Sequence, residues 1–159
     1  MSPFLTALAV SAGAAIVVAV AGGLLTELSP WYDRLKKPAW KPPDWAFGPI
    51  WTVILILAAV SAALAWDAAQ DSAVRGRILF VLVLNSILNI AWSGIFFKMK
   101  RPDWALIEVL MLWLSIVALI VVLGQASRMA GLLMVPYLAW VSTAAFLNYR
   151  IVQLNRPFG

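Results

Sequence analysis

Five apolar segments, each long enough to cross a lipid bilayer, account for most of this 159-residue chain. A spanning helix needs about 20 apolar residues, because the hydrocarbon core is about 30 Å thick and an α-helix rises about 1.5 Å per residue. The pattern therefore predicts an all-α membrane protein, a bundle of five transmembrane helices forming one domain over residues 1–159. The predicted helices cover residues 4–26, 46–66, 78–97, 104–124 and 129–149.

The composition excludes several other classes of protein. Only 12% of the residues are charged, against about 25% in soluble domains, which excludes a water-soluble globule and a disordered chain. The chain has no cysteine and no histidine, so we expect no disulfide, no thiol nucleophile and no metal site. The first apolar segment has no positively charged start and exceeds the length of a secretory signal core, so we expect it to be retained as a helix.

The basic residues divide unequally between the two ends of a five-span bundle. Because cytoplasmic loops carry the lysine and arginine excess, the distribution predicts a bacterial inner-membrane protein with its N-terminus outside and its C-terminus in the cytoplasm. The net charge of +5 is then a matter of topology, and the lipid bilayer rather than nucleic acid is the expected partner. Nine of the twelve basic residues lie at the predicted cytoplasmic end: Arg34, Lys36, Lys37, Lys41, Lys98, Lys100, Arg101, Arg150 and Arg156.

The long loop at residues 27–45 differs from the other, shorter connections. It holds three tryptophans, one tyrosine and four prolines. Proline fixes its own φ and keeps the preceding residue out of the helical region. We therefore predict a structured cap on the cytoplasmic side rather than a flexible linker.

Four tryptophans on four different helices lie inside the predicted membrane region. At about 1.5 Å per residue, Trp51 and Trp92 lie roughly 8 Å below the cytoplasmic helix ends, and Trp113 and Trp140 lie roughly 14 Å below them. An interfacial belt does not explain tryptophans near mid-bilayer. For Trp51, Trp92 and Trp140 two interpretations remain open, the lining of a cavity and plain packing.

Polar residues occur at the same depth. Asn85, Asn89 and Ser93 are spaced four apart and share one face of the third helix. This face is expected to look into the bundle, either for hydrogen bonds between helices or for contact with a ligand. Pro136 lies inside the predicted fifth helix, where it either bends the helix or widens the bundle.

Structural roles explain two further features of the sequence. Glu108, close to Lys100 and Arg101, is expected to snorkel toward the cytoplasmic surface or to pair locally rather than to take part in proton coupling. A ridge of small residues on the first helix permits close packing inside one bundle, or between two copies of the chain. The ridge consists of Ala7, Ser11, Ala15, Ala19 and Gly23.

Three segments carry a resemblance to a known family. They are WYDRLKKPAWKPPDWAFGPIW (31–51), LNIAWSGIFF (88–97) and VPYLAWVSTAAFLNY (135–149). In these segments the chain resembles the mitochondrial translocator proteins, or peripheral-type benzodiazepine receptors, and the bacterial tryptophan-rich sensory proteins, together called TspO/MBR. The resemblance implies five helices, a homodimer, and a first loop that covers a pocket open toward the cytoplasm. It also implies porphyrins, cholesterol or benzodiazepine-type drugs as ligands.

The resemblance assigns roles to particular positions. It implies a ligand pocket formed by Trp51, Asn89, Trp92, Tyr137, Trp140, Ala144 and Leu147. It implies a lid that includes Trp31, Trp40 and Pro42. Two departures from the family pattern stand out. The turn after Trp51 lacks a tyrosine, and Arg150 follows Tyr149 without the spacer of the cholesterol motif, which argues against sterol binding.

Three functions follow from this reading. The first is binding and transport of porphyrins, with tryptophan faces stacking on the macrocycle. The porphyrin would be a ligand rather than a haem cofactor held by histidine or cysteine. The second is porphyrin degradation driven by light and oxygen, with Trp51 and Trp140 as participants, since no acid–base pair supports ordinary catalysis. The third is a sensor that signals to a partner protein. The cations available to the porphyrin carboxylates are Arg34, Lys36, Lys37 and Lys41.

Overall fold

A computed structural model describes all residues, 1–159, and contains helices without strands. The elements are α1 (Pro3–Leu25), α2 (Pro30–Arg34), α3 (Asp44–Ala68), α4 (Ser72–Ser93), α5 (Pro102–Ala126), α6 (Arg128–Leu133) and α7 (Val135–Asn155). The fourth helix continues as a π-helical turn over Gly94–Lys98. Five helical stretches, formed by α1, α3, α4 with its π turn, α5, and α6 with α7, are long and apolar enough to span a membrane. The predicted fold class is therefore confirmed.

Local sequence signals explain where the helices begin. The Ser2 hydroxyl accepts a hydrogen bond from the Leu5 N–H at 3.2 Å at the start of α1. The Asp71 carboxylate accepts one from the Ala73 N–H at 2.8 Å at the start of α4. Both satisfy backbone donors that have no partner inside the helix. Proline occupies the first turn of α5, where its missing N–H costs nothing.

The fifth span is broken rather than continuous. The sequence predicts one helix over 129–149, whereas the structure has α6 and α7 separated at Met134, with α7 extending to Asn155. Pro136 lies in the first turn of α7. Because proline lacks the N–H that a helix interior needs, it starts a new helix instead of bending an existing one.

The helices pack in a closed order. α1 lies against α3 and α4, α5 lies between α4 and α7, and α6 lies against α3 and α5. The main core contains fully buried aliphatic side chains such as Ile78, Ile116, Leu119 and Leu123. Aromatic side chains form a second core near the end of the bundle where α1 finishes and α7 ends.

That end of the bundle, which we call the basic end, contains residues 26–43, 98–101 and 156–159. Its segments are joined by polar contacts. Glu27 and Lys98 form an ion pair with a Nζ–Oε1 distance of 2.9 Å. The Asn155 side chain accepts a hydrogen bond from the Lys36 N–H at 2.8 Å and donates one to the Lys36 carbonyl at 2.8 Å. The loop before α3 is therefore fixed to the end of α7.

Candidate ligand-binding site

A cavity of about 430 Å³ lies between α1, α3, α4, α5 and α7 in the half of the bundle nearest the basic end, and some of its lining residues, such as Leu28 and Thr52, are exposed at the bundle surface. Three indole rings, one each from α3, α4 and α7, form part of its wall. These belong to Trp51, Trp92 and Trp140. Of the two interpretations open for these residues, the structure places all three on the wall of a cavity.

The positions that the family resemblance assigned to a pocket fall into two groups. Five of them line the cavity: Trp51, Asn89, Trp92, Trp140 and Ala144. The other two, Tyr137 and Leu147, are buried behind the wall. Tyr137 contacts Trp51 edge to face, with ring centroids 5.9 Å apart, and Leu147 packs in the second aromatic core.

A chain of hydrogen bonds connects the cavity wall to the bundle interior. The Asn89 amide donates to the Tyr137 hydroxyl at 2.7 Å, and that hydroxyl donates to the Asn85 carbonyl oxygen at 3.1 Å. The Asn85 amide then donates to the Ser115 hydroxyl at 2.9 Å. Of the two roles open for this helix face, Asn85 serves hydrogen bonding between helices, whereas Asn89 does so and also lines the cavity.

The cavity tryptophans differ in how they are held. The Trp92 indole N–H donates to the Asn148 side-chain oxygen at 3.1 Å, and its ring stacks on Phe96 at 5.1 Å. The Trp140 ring meets Phe47 edge to face at 5.3 Å, but its buried Nε1 has no hydrogen-bond partner. The cavity wall therefore contains one unpaired buried donor. Burying such a group costs free energy unless something accepts its hydrogen bond.

Trp113 has a different environment from the three cavity tryptophans. Its indole N–H donates to the Ser142 hydroxyl at 2.8 Å, which joins α5 to α7. Trp113 does not line the cavity. Its depth in the membrane is thus explained by a contact between helices.

The expectation that Glu108 snorkels toward the surface or pairs with a nearby cation is wrong. Glu108 is only 4% exposed, and neither carboxyl oxygen has a hydrogen-bond partner. Arg101 instead pairs with Asp103. The reason is geometric, since Glu108 lies one turn before the buried Leu112 on the face of α5 that looks into the bundle.

The three residues assigned to a lid lie at the basic end without lining the cavity themselves. Trp31, in α2, meets Phe96 edge to face at 6.3 Å. Trp40 stacks on Phe146 of α7 with ring centroids 5.3 Å apart. Pro42 belongs to the nonhelical stretch just before α3. The loop is thus attached by aromatic contacts to α4 with its π turn on one side and to α7 on the other.

Of the four cations considered for ligand carboxylates, Lys41 lies close to an aromatic residue of the cavity wall. Its ammonium group is 5.7 Å from the ring centroid of Phe47, which lines the cavity. It is also paired with the Asp44 carboxylate at 2.6 Å. A ligand carboxylate would therefore compete with Asp44 for this cation.

The other cations have different surroundings. Lys37 lies over the Tyr32 ring, 4.2 Å from its centroid, and its ammonium donates to the Leu35 carbonyl at 3.2 Å. Burial, with a contribution from the charge of Lys41, lowers the pKa of Lys37. Arg34 and Lys36 are exposed, so their charged groups face the solvent or the lipid headgroups.

Part of the cavity wall comes from α1, which carries no binding motif in the sequence. Val18, Gly22 and Thr26 line the cavity, together with Ala19 and Gly23. Ala19 and Gly23 belong to the ridge of small residues, so this ridge was the one sequence feature that could have indicated the contribution of α1 to the cavity wall. On α3, Phe47, Gly48 and Leu55 also line the cavity, and their helical spacing from Trp51 would have indicated them. Thr52, the next residue along the chain, lines it as well.

The fold and the site define a five-span membrane protein with an aromatic cavity beneath a docked loop. Residues 9–154 match the model of the TspO/MBR family, and the chain belongs to that family. It is 38% identical over 159 residues to the tryptophan-rich protein TspO of Chlorobaculum tepidum, covering 98% of this chain and 99% of the relative. It is 36% identical to the tryptophan-rich sensory protein of Cereibacter sphaeroides, with 84% and 82% covered. It is 33% identical to the human translocator protein, with 79% and 75% covered.

Proposed function

We propose that this membrane protein binds porphyrins, and similar flat hydrophobic molecules, in its cavity for transport or sensing. The observation that carries the proposal is the convergence of three indoles from three helices on one space. Aromatic faces attract flat π systems by about 0.5–1.5 kcal/mol per contact beyond area burial. The cavity volume of about 430 Å³ lies within the range of about 300–1,000 Å³ typical of small-molecule sites.

The polar groups around the cavity suit a ligand that is flat, apolar and carboxylated at one edge. The apolar wall accepts the macrocycle, while the unpaired Trp140 N–H supplies one donor. Lys41, beside Phe47, supplies a cation at the basic end. A porphyrin could place its macrocycle against the apolar wall and its propionates toward Lys41 at the basic end. Charge-assisted hydrogen bonds to carboxylates are stronger than hydrogen bonds between neutral groups.

A porphyrin titration tests this proposal. The probe is a metal-free dicarboxylic porphyrin added to purified protein in lipid nanodiscs, with tryptophan quenching and the porphyrin absorption band as readouts. Ala144→Trp fills the cavity from α7 and should weaken binding by about tenfold or more, which corresponds to about 1.4 kcal/mol. Ala9→Trp adds the same side chain on the exposed face of α1 and should leave the affinity unchanged. Equal affinity in both variants would contradict the proposal.

A second function is favoured by the same three indoles, since oxidisable rings would lie next to the bound macrocycle. In this reading light excites the porphyrin, dioxygen is the oxidant, and Trp51 or Trp140 takes part in the electron transfer. Irradiation of the complex in air should then bleach the porphyrin band, and anaerobic irradiation should not. Bleaching at an unchanged rate in Trp51→Phe and Trp140→Phe, at equal occupancy, would exclude a role for these indoles.

We propose that the basic end faces the cytoplasm of a bacterial cell, which places the N-terminus outside. The polar contacts of Glu27 with Lys98 and of Lys36 with Asn155 put the three most basic segments at one end, and such segments stay in the cytoplasm. The absence of cysteine permits a direct test. A membrane-impermeant maleimide should label Gln70→Cys in intact cells and Lys36→Cys only after lysis, and the reverse pattern would contradict the orientation.

A further inference from the structure

A second depression lies on the outside of the bundle, between α3 and α7. This membrane-facing groove has a volume of about 520 Å³ and is lined by Pro49, Val53, Pro136, Ala139, Trp140 and Thr143, among others. It opens outward, since Val53 is 56% exposed and lies within a membrane span. The Thr143 hydroxyl is occupied by a hydrogen bond to the Ala139 carbonyl at 3.2 Å, so the groove presents an almost wholly apolar surface to lipid.

The groove and the cavity share one wall. Trp140 lines both of them. At this level α3 and α7 are bridged by two aromatic pairs, Phe47 with Trp140 at 5.3 Å and Trp51 with Tyr137 at 5.9 Å. On the side between α3 and α7, these side chains, rather than close backbone packing, separate the cavity from the groove.

The two aromatic pairs differ in how firmly they are held. The Tyr137 hydroxyl is fixed by hydrogen bonds to Asn85 and Asn89. The Trp140 indole N–H has no partner, and the phenyl ring of Phe47 has no polar group to fix it. Rotation of Trp140 therefore breaks no hydrogen bond, whereas displacement of Tyr137 breaks two.

Toward the end of the bundle opposite the basic end, α3 is joined to α6, the short helix that precedes α7. There the buried Ser61 hydroxyl of α3 donates to the Ala130 carbonyl of α6 at 2.6 Å. Toward the basic end the groove wall carries Pro49, which lies inside α3 and removes one backbone hydrogen bond from that helix. The gap between α3 and α7 is therefore closed mainly by side chains where the groove meets the cavity.

We infer that the groove between α3 and α7 is the passage through which a flat hydrophobic ligand moves between the bilayer and the cavity, with Trp140 as its movable gate. This inference rests on the proposed function, because it assigns an access route to the ligand of the same cavity. A ligand dissolved in the lipid would meet an apolar surface, displace the Phe47–Trp140 contact, and reach the indoles of the cavity wall. It would not need to cross the docked loop at the basic end.

Stopped-flow measurement of porphyrin binding from lipid vesicles tests the passage. The protein is reconstituted in nanodiscs, the probe is a metal-free dicarboxylic porphyrin loaded into vesicles, and both association and dissociation rates are followed. Ala139→Phe narrows the groove without lining the cavity. Ala9→Phe is the control, since it adds the same ring to the exposed face of α1.

The expected signature is kinetic. In Ala139→Phe both rates should fall by a similar factor of about tenfold or more, because a blocked passage slows arrival and departure together. Unchanged rates in that variant, with normal binding, would overturn the passage while leaving the proposed cavity intact.

Equal slowing in the Ala9→Phe control would also overturn the passage. Absence of porphyrin binding to the wild-type protein would instead contradict the proposed function. A second copy of the chain could cover the groove, and Thr143→Cys would then crosslink two copies into a dimer. If the porphyrin rates stay unchanged in that crosslinked dimer, the groove is not the route of entry, and the inference is wrong.

Discussion

The Asn89 amide donates a 2.7 Å hydrogen bond to the Tyr137 hydroxyl, and this contact joins the lining of the cavity to the buried interior of the bundle. The Tyr137 hydroxyl in turn donates a hydrogen bond to the Asn85 side-chain oxygen. The wall that faces the cavity is thus held by groups that never touch the cavity. Such preorganisation favours binding, because fewer side chains need to be ordered when a ligand arrives.

Removal of the Tyr137 hydroxyl should loosen this wall. In Tyr137→Phe the amide of Asn89 and the carbonyl oxygen of Asn85 lose their partner, and we expect a destabilisation of about 1–2 kcal/mol. Reversible unfolding in mixed detergent micelles measures it. Tyr149→Phe is the matched control, because the Tyr149 hydroxyl contacts only Gln153 at the exposed surface. An equal loss in both variants would show that the buried network has no special role.

Phenylalanine substitutions at Trp92 and Trp140 should separate binding from stability. Both remove an indole from the cavity, so both should weaken porphyrin affinity. Only Trp92→Phe leaves the Asn148 side-chain oxygen without its donor, at a cost of about 1–3 kcal/mol. Trp140→Phe breaks no hydrogen bond. Unfolding midpoints should therefore fall clearly in the first variant and much less in the second, and the opposite order would contradict the assigned contacts.

Close packing between α5 and α6 predicts a sensitive glycine. A Cβ atom at Gly131 would lie 2.9 Å from both the Gly124 Cα and the Ile120 carbonyl oxygen. Gly131→Ala should therefore force the helices apart and cost about 1–3 kcal/mol. Gly13→Ala is the control, because its Cβ meets nothing within 4 Å. Tolerance of alanine at Gly131 would mean that the two helices are less tightly packed than described.

The ion pair at the basic end predicts a pH effect of known sign. The hydrogen bond and charge of Lys98 hold the pKa of Glu27 below its ordinary value of 4.5. Its stabilising contribution is therefore fully present above that value and is lost as the pH falls through the lower folded-state pKa. Wild type should unfold at a higher denaturant concentration than Glu27→Gln at about pH 7, with the difference shrinking as the pH falls below the ordinary value and through the lowered folded-state pKa. Both groups are exposed, so the difference should be small and should shrink with added salt.

Hydropathy and helix length predicted the five spans, because a bilayer requires both in every spanning helix. The estimated depths of Trp51, Trp92 and Trp140 also indicated that all three lie in the cytoplasmic half of the membrane. Sequence position could not reveal that Pro136 starts a new helix after a break at Met134. Sequence position also could not show that Glu108 is buried without a partner. The sequence near a helix end is the same whether the charged side chain faces the lipid headgroups or the interior of the bundle.

The sequence alone did not show that α1 contributes to the cavity wall, for a related reason. Small residues such as Ala19 and Gly23 have no chemical signature of binding, and they leave space only when the neighbouring helices are in place. The same holds for the groove between α3 and α7. Its existence depends on the spacing of two helices that are separated in sequence by α4 and α5.

A structure of the protein with a bound metal-free porphyrin tests the central claim most directly. The account predicts density for the macrocycle inside the cavity, in contact with the indoles of Trp51, Trp92 and Trp140, with its carboxylates toward Lys41. Density for the porphyrin on the outer surface of the bundle, with the cavity between α1, α3, α4, α5 and α7 left without it, would contradict the account.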